Sequence, residues 1–326
     1  MRIALSSVVA IVLVTTTSSA QQPTPSGNEA PLQVILLGTQ AGPTFDVQRI
    51  GIGTLVIAGQ ERLLFDAGRS ITTGMSRANV NAVDVTRVFL THLHSDHVIS
   101  LPELLISPWA FQGRTVPLQV WGPAGTKSMM EKFQEALAFD IHMRRDVDEK
   151  FPAEGVRVRA TDISEGVVYE SNGVKVTAFL VDHGPVEPAF GYRVDFRGHS
   201  VAISGDTKPS ANLVKFSAGV DVLIHELGRW KQDPALSGNP DELVPNTRLT
   251  RRQATAIAEH HTDRDEIGKV FLQVKPKLAV ISHYNGDPKV MLPLIRRQYD
   301  GAVEFGEEAM LIEVGDRVTI RRIGQH

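Results

Sequence analysis

Thr91-His92-Leu93-His94-Ser95-Asp96-His97 decides how the rest of the chain is read, because three histidines and a carboxylate fall within six positions directly after the apolar run Val88-Phe89-Leu90. Imidazole nitrogen and carboxylate oxygen together suit zinc, with iron, manganese or cobalt as alternatives. His92 and His94, two apart on an extended segment, turn their rings to one side, while Asp96 and His97 stand at the turn into a helix and face a second ion. One short motif thus serves two metals. A lone histidine here would be read as a surface residue; three of them with an aspartate are read as a ligand cluster.

Working outward, short β-like runs appear at 32–37, 54–58, 62–65, 87–90, 116–120, 174–180, 190–195, 200–203, 220–224, 278–281 and 310–314. Helical patterns lie between many of them, at 97–106, 125–138, 250–260, 263–274 and 288–299. No solenoid period and no long linker interrupts the alternation. Strands grouped with helices on their outer faces suggest two packed sheets sandwiched by helices in one α/β domain.

A dinuclear site needs about three further ligands, one able to bridge, and the ends of later runs offer them. His183 stands in Asp182-His183-Gly184-Pro185, Asp206 in Ser204-Gly205-Asp206-Thr207 and His283 in Ser282-His283-Tyr284. Each caps a β-run, where side chains from separate strands converge on one edge.

The N-terminus reads as a secretory signal peptide over residues 1–20: Met1-Arg2, an apolar run from Ile3 to Val14 that is short for a membrane span, then Ser18-Ser19-Ala20. Residues 21–31 read as a flexible leader and 32–326 as the folded domain, placed in the periplasm or secreted. Cysteine is absent, which removes disulfides, thiol nucleophiles and thiolate ligands. The net charge is −3 and the Lys and Arg residues are scattered, a pattern without the basic footprint of a nucleic-acid binder. The expected partner is therefore a small anionic ester, with no nucleic acid, no membrane after signal cleavage, and a homodimer compatible with the sequence.

The order H-x-H-x-D-H, His183, Asp206, His283 resembles the metallo-β-lactamase superfamily, and the resemblance implies its four-layer αββα sandwich. Asp66, in Leu64-Phe65-Asp66-Ala67-Gly68, matches the family aspartate that buttresses the metal-binding loop. The segment Phe190-Gly191-Tyr192-Arg193 with Ser204-Gly205-Asp206-Thr207, and His261-Thr262 ahead of a helix, look like the ribonuclease Z branch. In ribonuclease Z itself the tRNA-grasping arm lies between the third-motif histidine and the bridging aspartate, and here 23 positions separate His183 from Asp206, leaving no room for it. The chain thus looks closer to exported, armless relatives such as arylsulfatases and small-molecule phosphodiesterases of this fold.

That resemblance implies that His92, His94 and His183 hold a first metal, Asp96, His97 and His283 a second, and Asp206 bridges both. Two Zn²⁺ ions are the default, with Mn²⁺ or Fe²⁺ as substitutes, and a hydroxide shared between them is the implied nucleophile. Asp96 doubles as catalytic proton acceptor, and His261 is the expected proton donor to the leaving oxygen, with His260 as the other register and Glu226 as its orienting carboxylate. His142, His199 and His326 read as bystanders, and Trp109, Phe111, Trp230 and Tyr284 as packing in preference to a substrate pocket. Residues 136–154 read as a solvated insertion. The expected function is hydrolysis of an aryl sulfate or phosphodiester. A lactonase or other acyl hydrolase on the same metals is the second reading, against which His261 and Gly191-Tyr192-Arg193 speak. A non-catalytic metal-binding protein is the third, against which the complete ligand set speaks.

Overall fold

The computed structural model describes residues 31–44, 46–245 and 247–324. The expected signal peptide, all but the last residue of the leader, and His326 lie outside the described residues.

Alternation along Leu32–Gly38 (β1) shows how the layers arise. Leu32, Val34 and Leu36 pack into one core, Ile35 and Leu37 into another, as the period of two in a strand requires. With β2 (Gly53–Ala58), β3 (Glu61–Phe65), β4 (Arg87–Phe89), β5 (Leu118–Gly122), β6 (Val158–Asp162), β14 (Met310–Val314) and β15 (Val318–Arg322), it forms an eight-stranded sheet ordered β15-β14-β1-β2-β3-β4-β5-β6. The second sheet has seven strands ordered β13-β12-β11-β10-β9-β8-β7. They comprise β7 (Gly166–Ser171), β8 (Val174–Val181), β9 (Ala189–Phe196), β10 (His199–Ile203), β11 (Val222–Leu227), β12 (Leu278–Tyr284) and β13 (Val303–Phe305).

Three apolar layers hold four structural ones. Between the sheets, Val34, Phe65 and Phe89 meet Val176, Tyr192, Val201 and Val280. Phe65 stacks on Phe89 at 5.1 Å and Phe89 on Trp121 at 4.9 Å, arrangements that add to simple area burial. Outside the first sheet, α1 (Ile71–Arg77), α3 (Leu101–Gln112) and α4 (Thr126–Ala136) contribute Met75, Leu104, Leu105 and Met130; the short α2 (Ser95–Val98) precedes them, and α5 (Ala138–His142) adds Ile141. Outside the second, α6 (Ala211–Ser217), α8 (Ile267–Val274) and α9 (Pro288–Arg296) contribute Leu213, Phe271 and Ile295, with α7 (Arg251–Glu259) between α6 and α8 in sequence. The two-sheet, helix-flanked single-domain sandwich expected from the sequence is the fold observed.

Both sheets are mixed. β3 through β6 run parallel, as do β10 through β13. Parallel strands present their carboxyl ends on one edge, the place where side chains from several strands meet a ligand. The motif at 91–97 follows β4, His183 follows β8, and Asp206 follows β10, while β12 runs on through His283 to Tyr284 instead of ending at Ile281 as the apolar pattern suggested.

Candidate metal centre

The loop after β4 is shaped by Asp66. Its carboxylate accepts the Thr91 N–H at 2.9 Å, the Thr91 hydroxyl at 2.9 Å and a bond from His97 Nδ1 at 2.8 Å. These contacts fix the His97 ring so that Nε2 faces inward, 3.4 Å from Asp206 and 3.6 Å from Asp96. Asp66 sits at φ 61° and His283 at φ 47°, a left-handed region that non-glycine residues seldom enter, although Asp and His do so more readily than most. Two such residues at one site are strain held by their surroundings.

Three imidazoles meet on the other side. His92 Nε2 lies 3.0 Å from His94 Nδ1, and His183 Nε2 lies 3.3 Å from the same atom. Burial holds all three rings below the ordinary histidine range, so they are neutral donors. Ligand nitrogens on a tetrahedral zinc, each at about 2.0–2.1 Å, stand roughly 3.3–3.4 Å apart. The observed spacing fits that shape.

Asp206 lies between the two groups. Its Oδ2 is 3.9 Å from His92 Nε2 and from His183 Nε2, and its Oδ1 is 3.1 Å from His283 Nδ1. Burial works against its charge, yet His283 and His97 hold it well below the usual carboxylate range. Asp96 is likewise kept ionised against its burial by His283, at 3.3 Å, and His97. His97 Nε2, Asp206 Oδ1 and His283 Nδ1 are buried without a hydrogen-bond partner among the described residues. Buried polar atoms are rarely left so, and a set converging on one point fits a cation. The structure thus brings all seven expected ligand side chains together, in overlapping groups that include His92, His94 and His183, and Asp96, His97 and His283.

His261 completes the cluster, its Nδ1 3.9 Å from Asp206 and 3.2 Å from Glu226 Oε2. Burial opposes its charge, but Glu226 outweighs that and lifts the ring to about 9. Glu226 is itself fixed by the N–H groups of Thr262 (2.8 Å) and Thr207 (3.3 Å). At Gly228, just past the end of β11, a Cβ would fall 2.2 Å from that of His261, so only glycine lets the chain pass this close. His260 faces elsewhere: its ring covers Gly184 and its carbonyl oxygen lies 3.1 Å from His183 Nδ1.

The remaining residues lie apart. Trp109 is fully buried and donates to the Pro152 carbonyl, Tyr284 is buried under Arg49, and Phe111 is exposed at the far end of α3. Trp230 packs under Arg264 at 3.6 Å. His142 pairs with Asp146, and His199 lies 3.6 Å from Asp221. Sequence reasoning missed Thr91, whose hydroxyl joins Asp66 to the motif, and the His260 carbonyl; both signals exist only in three dimensions.

The family model described as a beta-lactamase superfamily domain matches residues 61–284. Ribonuclease Z of Mycobacterium avium (strain 104) is 32% identical over 292 residues, covering 87% of this chain and 98% of the relative. Among solved structures, the metallo-beta-lactamase fold protein YhfI from Bacillus subtilis superposes with a TM-score of 0.64 at 18% identity, covering 86% of this chain and 98% of the other. The human tRNase Z short form (ELAC1) superposes with 0.61 at 22%, with the same coverage of 86% and 98%.

These relatives overturn the expectation of no nucleic-acid partner. Counting side-chain charges omits the cations a metal cluster holds, which are the largest local charges where a phosphate would sit. A scattered net charge of −3 therefore does not exclude a nucleic-acid substrate. With its two sheets, its clustered His and Asp ligands and this relationship, the chain belongs to the metallo-β-lactamase superfamily, related to its ribonuclease Z branch, and is a metal-dependent hydrolase of ester bonds.

Proposed function

We propose that the protein hydrolyses phosphodiesters, in a small molecule or within an RNA strand, on two divalent metal ions, with zinc favoured by the donor set and Mn²⁺ or Fe²⁺ as substitutes. His92, His94 and His183 would hold one ion, Asp96, His97 and His283 the other, with Asp206 reaching both. Such ions supply Lewis acidity toward the ester oxygens and a water whose pKa falls from about 15.7 toward 7.

The chain's own residues do the rest. Asp96, ionised despite burial, presents an acceptor oxygen that would orient a water beside the cluster. Glu226, 3.2 Å from His261 Nδ1, keeps that ring protonated, and the imidazolium would give its proton to the departing alkoxide as the P–O bond breaks. Asp66 keeps His97 in one orientation. The observation that carries the reading is the juxtaposition of seven ligand-type side chains with a carboxylate-held histidine 3.9 Å from Asp206. The relatives named ribonuclease Z support a phosphodiester over a sulfate ester. The N-terminal pattern supports a periplasmic or secreted location for the mature enzyme, testable by N-terminal sequencing of the exported protein.

The zinc-loaded protein would be assayed against bis-p-nitrophenyl phosphate, a short RNA, p-nitrophenyl sulfate and a simple lactone, beside a chelated control and Asp206→Ala. Metal-dependent turnover of either phosphodiester, lost in both controls, is expected. A strong preference for the sulfate would replace the reading with an arylsulfatase, and turnover of the lactone alone would replace it with an acyl hydrolase.

A further inference from the structure

Away from the metal cluster, a cleft of about 420 Å³ opens between α1, the turn that follows it and the last turns of α3. Its lining carries no ionisable side chain: hydroxyls of Thr72, Ser76 and Ser107, amides of Asn79, Asn81 and Gln112, and apolar surface that includes Phe111. α3 begins four residues after His97, so at about 1.5 Å per residue its last turn lies roughly 20 Å along the chain from the metal motif. The cleft is a separate place.

Three features make it a built site. First, Gln112 Oε1 accepts the Val83 N–H at 2.8 Å, which fixes the amide and leaves its NH₂ as a donor. The side chains of Ser76, Asn79, Asn81 and Ser107 make no hydrogen bond to protein among the described residues, so their donors and acceptors are available. Second, the supporting backbone is rigid. Ala78, Ala82 and Met75 anchor it in the core, and the bonds Val80 N to Met75 O (2.8 Å) and Asp84 N to Asn81 O (3.1 Å) set the turn. Third, Phe111 is 77% exposed, a large apolar ring left in water beside neutral polar groups. Arg144, pinned by Asp140 and Glu149, lies 5.4 Å from the ring centroid and covers one face. Most of the ring surface stays open to a ligand.

Neutral hydroxyl and amide groups around one aromatic face match a ligand that is itself neutral, rich in hydroxyls and apolar on one ring face. The charged groups nearest the lining are already engaged, Glu103 by the Thr72 hydroxyl at 2.7 Å and Arg144 by Asp140 and Glu149, so a charged ligand finds no free counter-charge, and a wholly apolar ligand would strand the amides. We propose that this cleft is a saccharide-binding site, distinct from the metal centre, which takes a free sugar or a sugar unit of a glycan chain.

Isothermal titration of the full zinc-loaded protein with glucose, N-acetylglucosamine, maltose and a linear oligosaccharide, with inorganic phosphate as charged control, tests this. Saturable binding of at least one sugar with a Kd in the millimolar range or below is expected, and none of phosphate outside the metal site. Phe111→Ala should weaken it by about tenfold, the worth of one aromatic contact, and Asn81→Ala by a similar factor. Both residues are exposed, so both variants should fold and keep wild-type phosphodiester turnover. Tighter binding of the oligosaccharide than of maltose would identify a glycan chain as the source, and equal binding a free sugar. No saturable sugar binding, or binding unchanged in both variants, overturns the proposal. So does a change of oligomeric state in Phe111→Ala without any sugar effect, since the face would then be a contact between copies.

Discussion

His261 and Asp66 touch the cluster through different residues, Asp206 and His97, and do different work, which makes them separable by mutation. His261 lies 3.9 Å from Asp206 and is held by Glu226, so His261→Ala removes a proton donor and leaves the seven metal-facing side chains in place. Turnover should fall by about 10²- to 10⁴-fold while metal content, read by elemental analysis, stays at the wild-type level. Unchanged turnover would remove the residue from the mechanism. Asp66→Ala does the reverse. The Thr91 N–H, the Thr91 hydroxyl and His97 Nδ1 all lose their acceptor, so the loop loosens around the ions. Metal affinity measured by competition with a chromophoric chelator should drop by about 10- to 100-fold. The ligand residues were legible in the sequence because chemistry restricts them to a few residue types at strand ends. Their supports were not: nothing in the string shows that Asp66 and His283 adopt φ 61° and 47°, or that Thr91 joins one to the other's neighbours.

α3 shows why elements were less legible than ligands. The apolar pattern predicts a helix ending at Ile106, two residues before Pro108, yet the helix runs to Gln112. Proline has no N–H, so the Leu104 carbonyl loses its usual partner four residues on. Arg114, 1% exposed, supplies the missing donor: Nη1 reaches Leu104 O at 2.8 Å, Nη2 reaches Leu105 O, and Nε reaches Gly155 O at 2.9 Å. One side chain thus rescues a helix and ties it to the segment before β6. Arg114→Met keeps much of the volume and removes all three donors, leaving buried carbonyls unpaired at a cost of about 2–5 kcal/mol. Urea denaturation should show the loss with α3 still helical in part; a change below about 0.5 kcal/mol would mean that water replaces the guanidinium. Strands β6, β7 and β15 escaped notice for a related reason. They are edge strands with mixed or exposed faces, Val158-Arg159-Ala160-Thr161-Asp162 among them, and their pairing depends on a neighbour already in place.

At the scale of the molecule the layers were legible, since apolar runs separated by helices leave few ways to cover two sheets, whereas the coupling between those sheets was not. His92, His94, Asp96 and His97 come from the first sheet, while His183, Asp206 and His283 come from the second. Ions shared by such ligands join the two sheets across their common edge. The contact they replace is costly: without them, Asp206 and the inward nitrogens of His97 and His283 stay buried and unpaired. Metal binds the folded ligand set and has little affinity for ligands spread over about 190 positions of an unfolded chain, so it stabilises by mass action. At free metal near 1,000 times Kd, each ion contributes about 4 kcal/mol. Chelation followed by thermal unfolding should therefore lower Tm by many degrees, and zinc should restore it in a concentration-dependent way. Asp206→Ala should be less responsive to added zinc than wild type, because it lacks the carboxylate that reaches both groups. A chelated protein with the same Tm as the zinc-loaded one would show that the sheets are joined by the Phe65, Phe89 and Tyr192 packing alone, and that the cluster is free to lose its ions without loosening the fold.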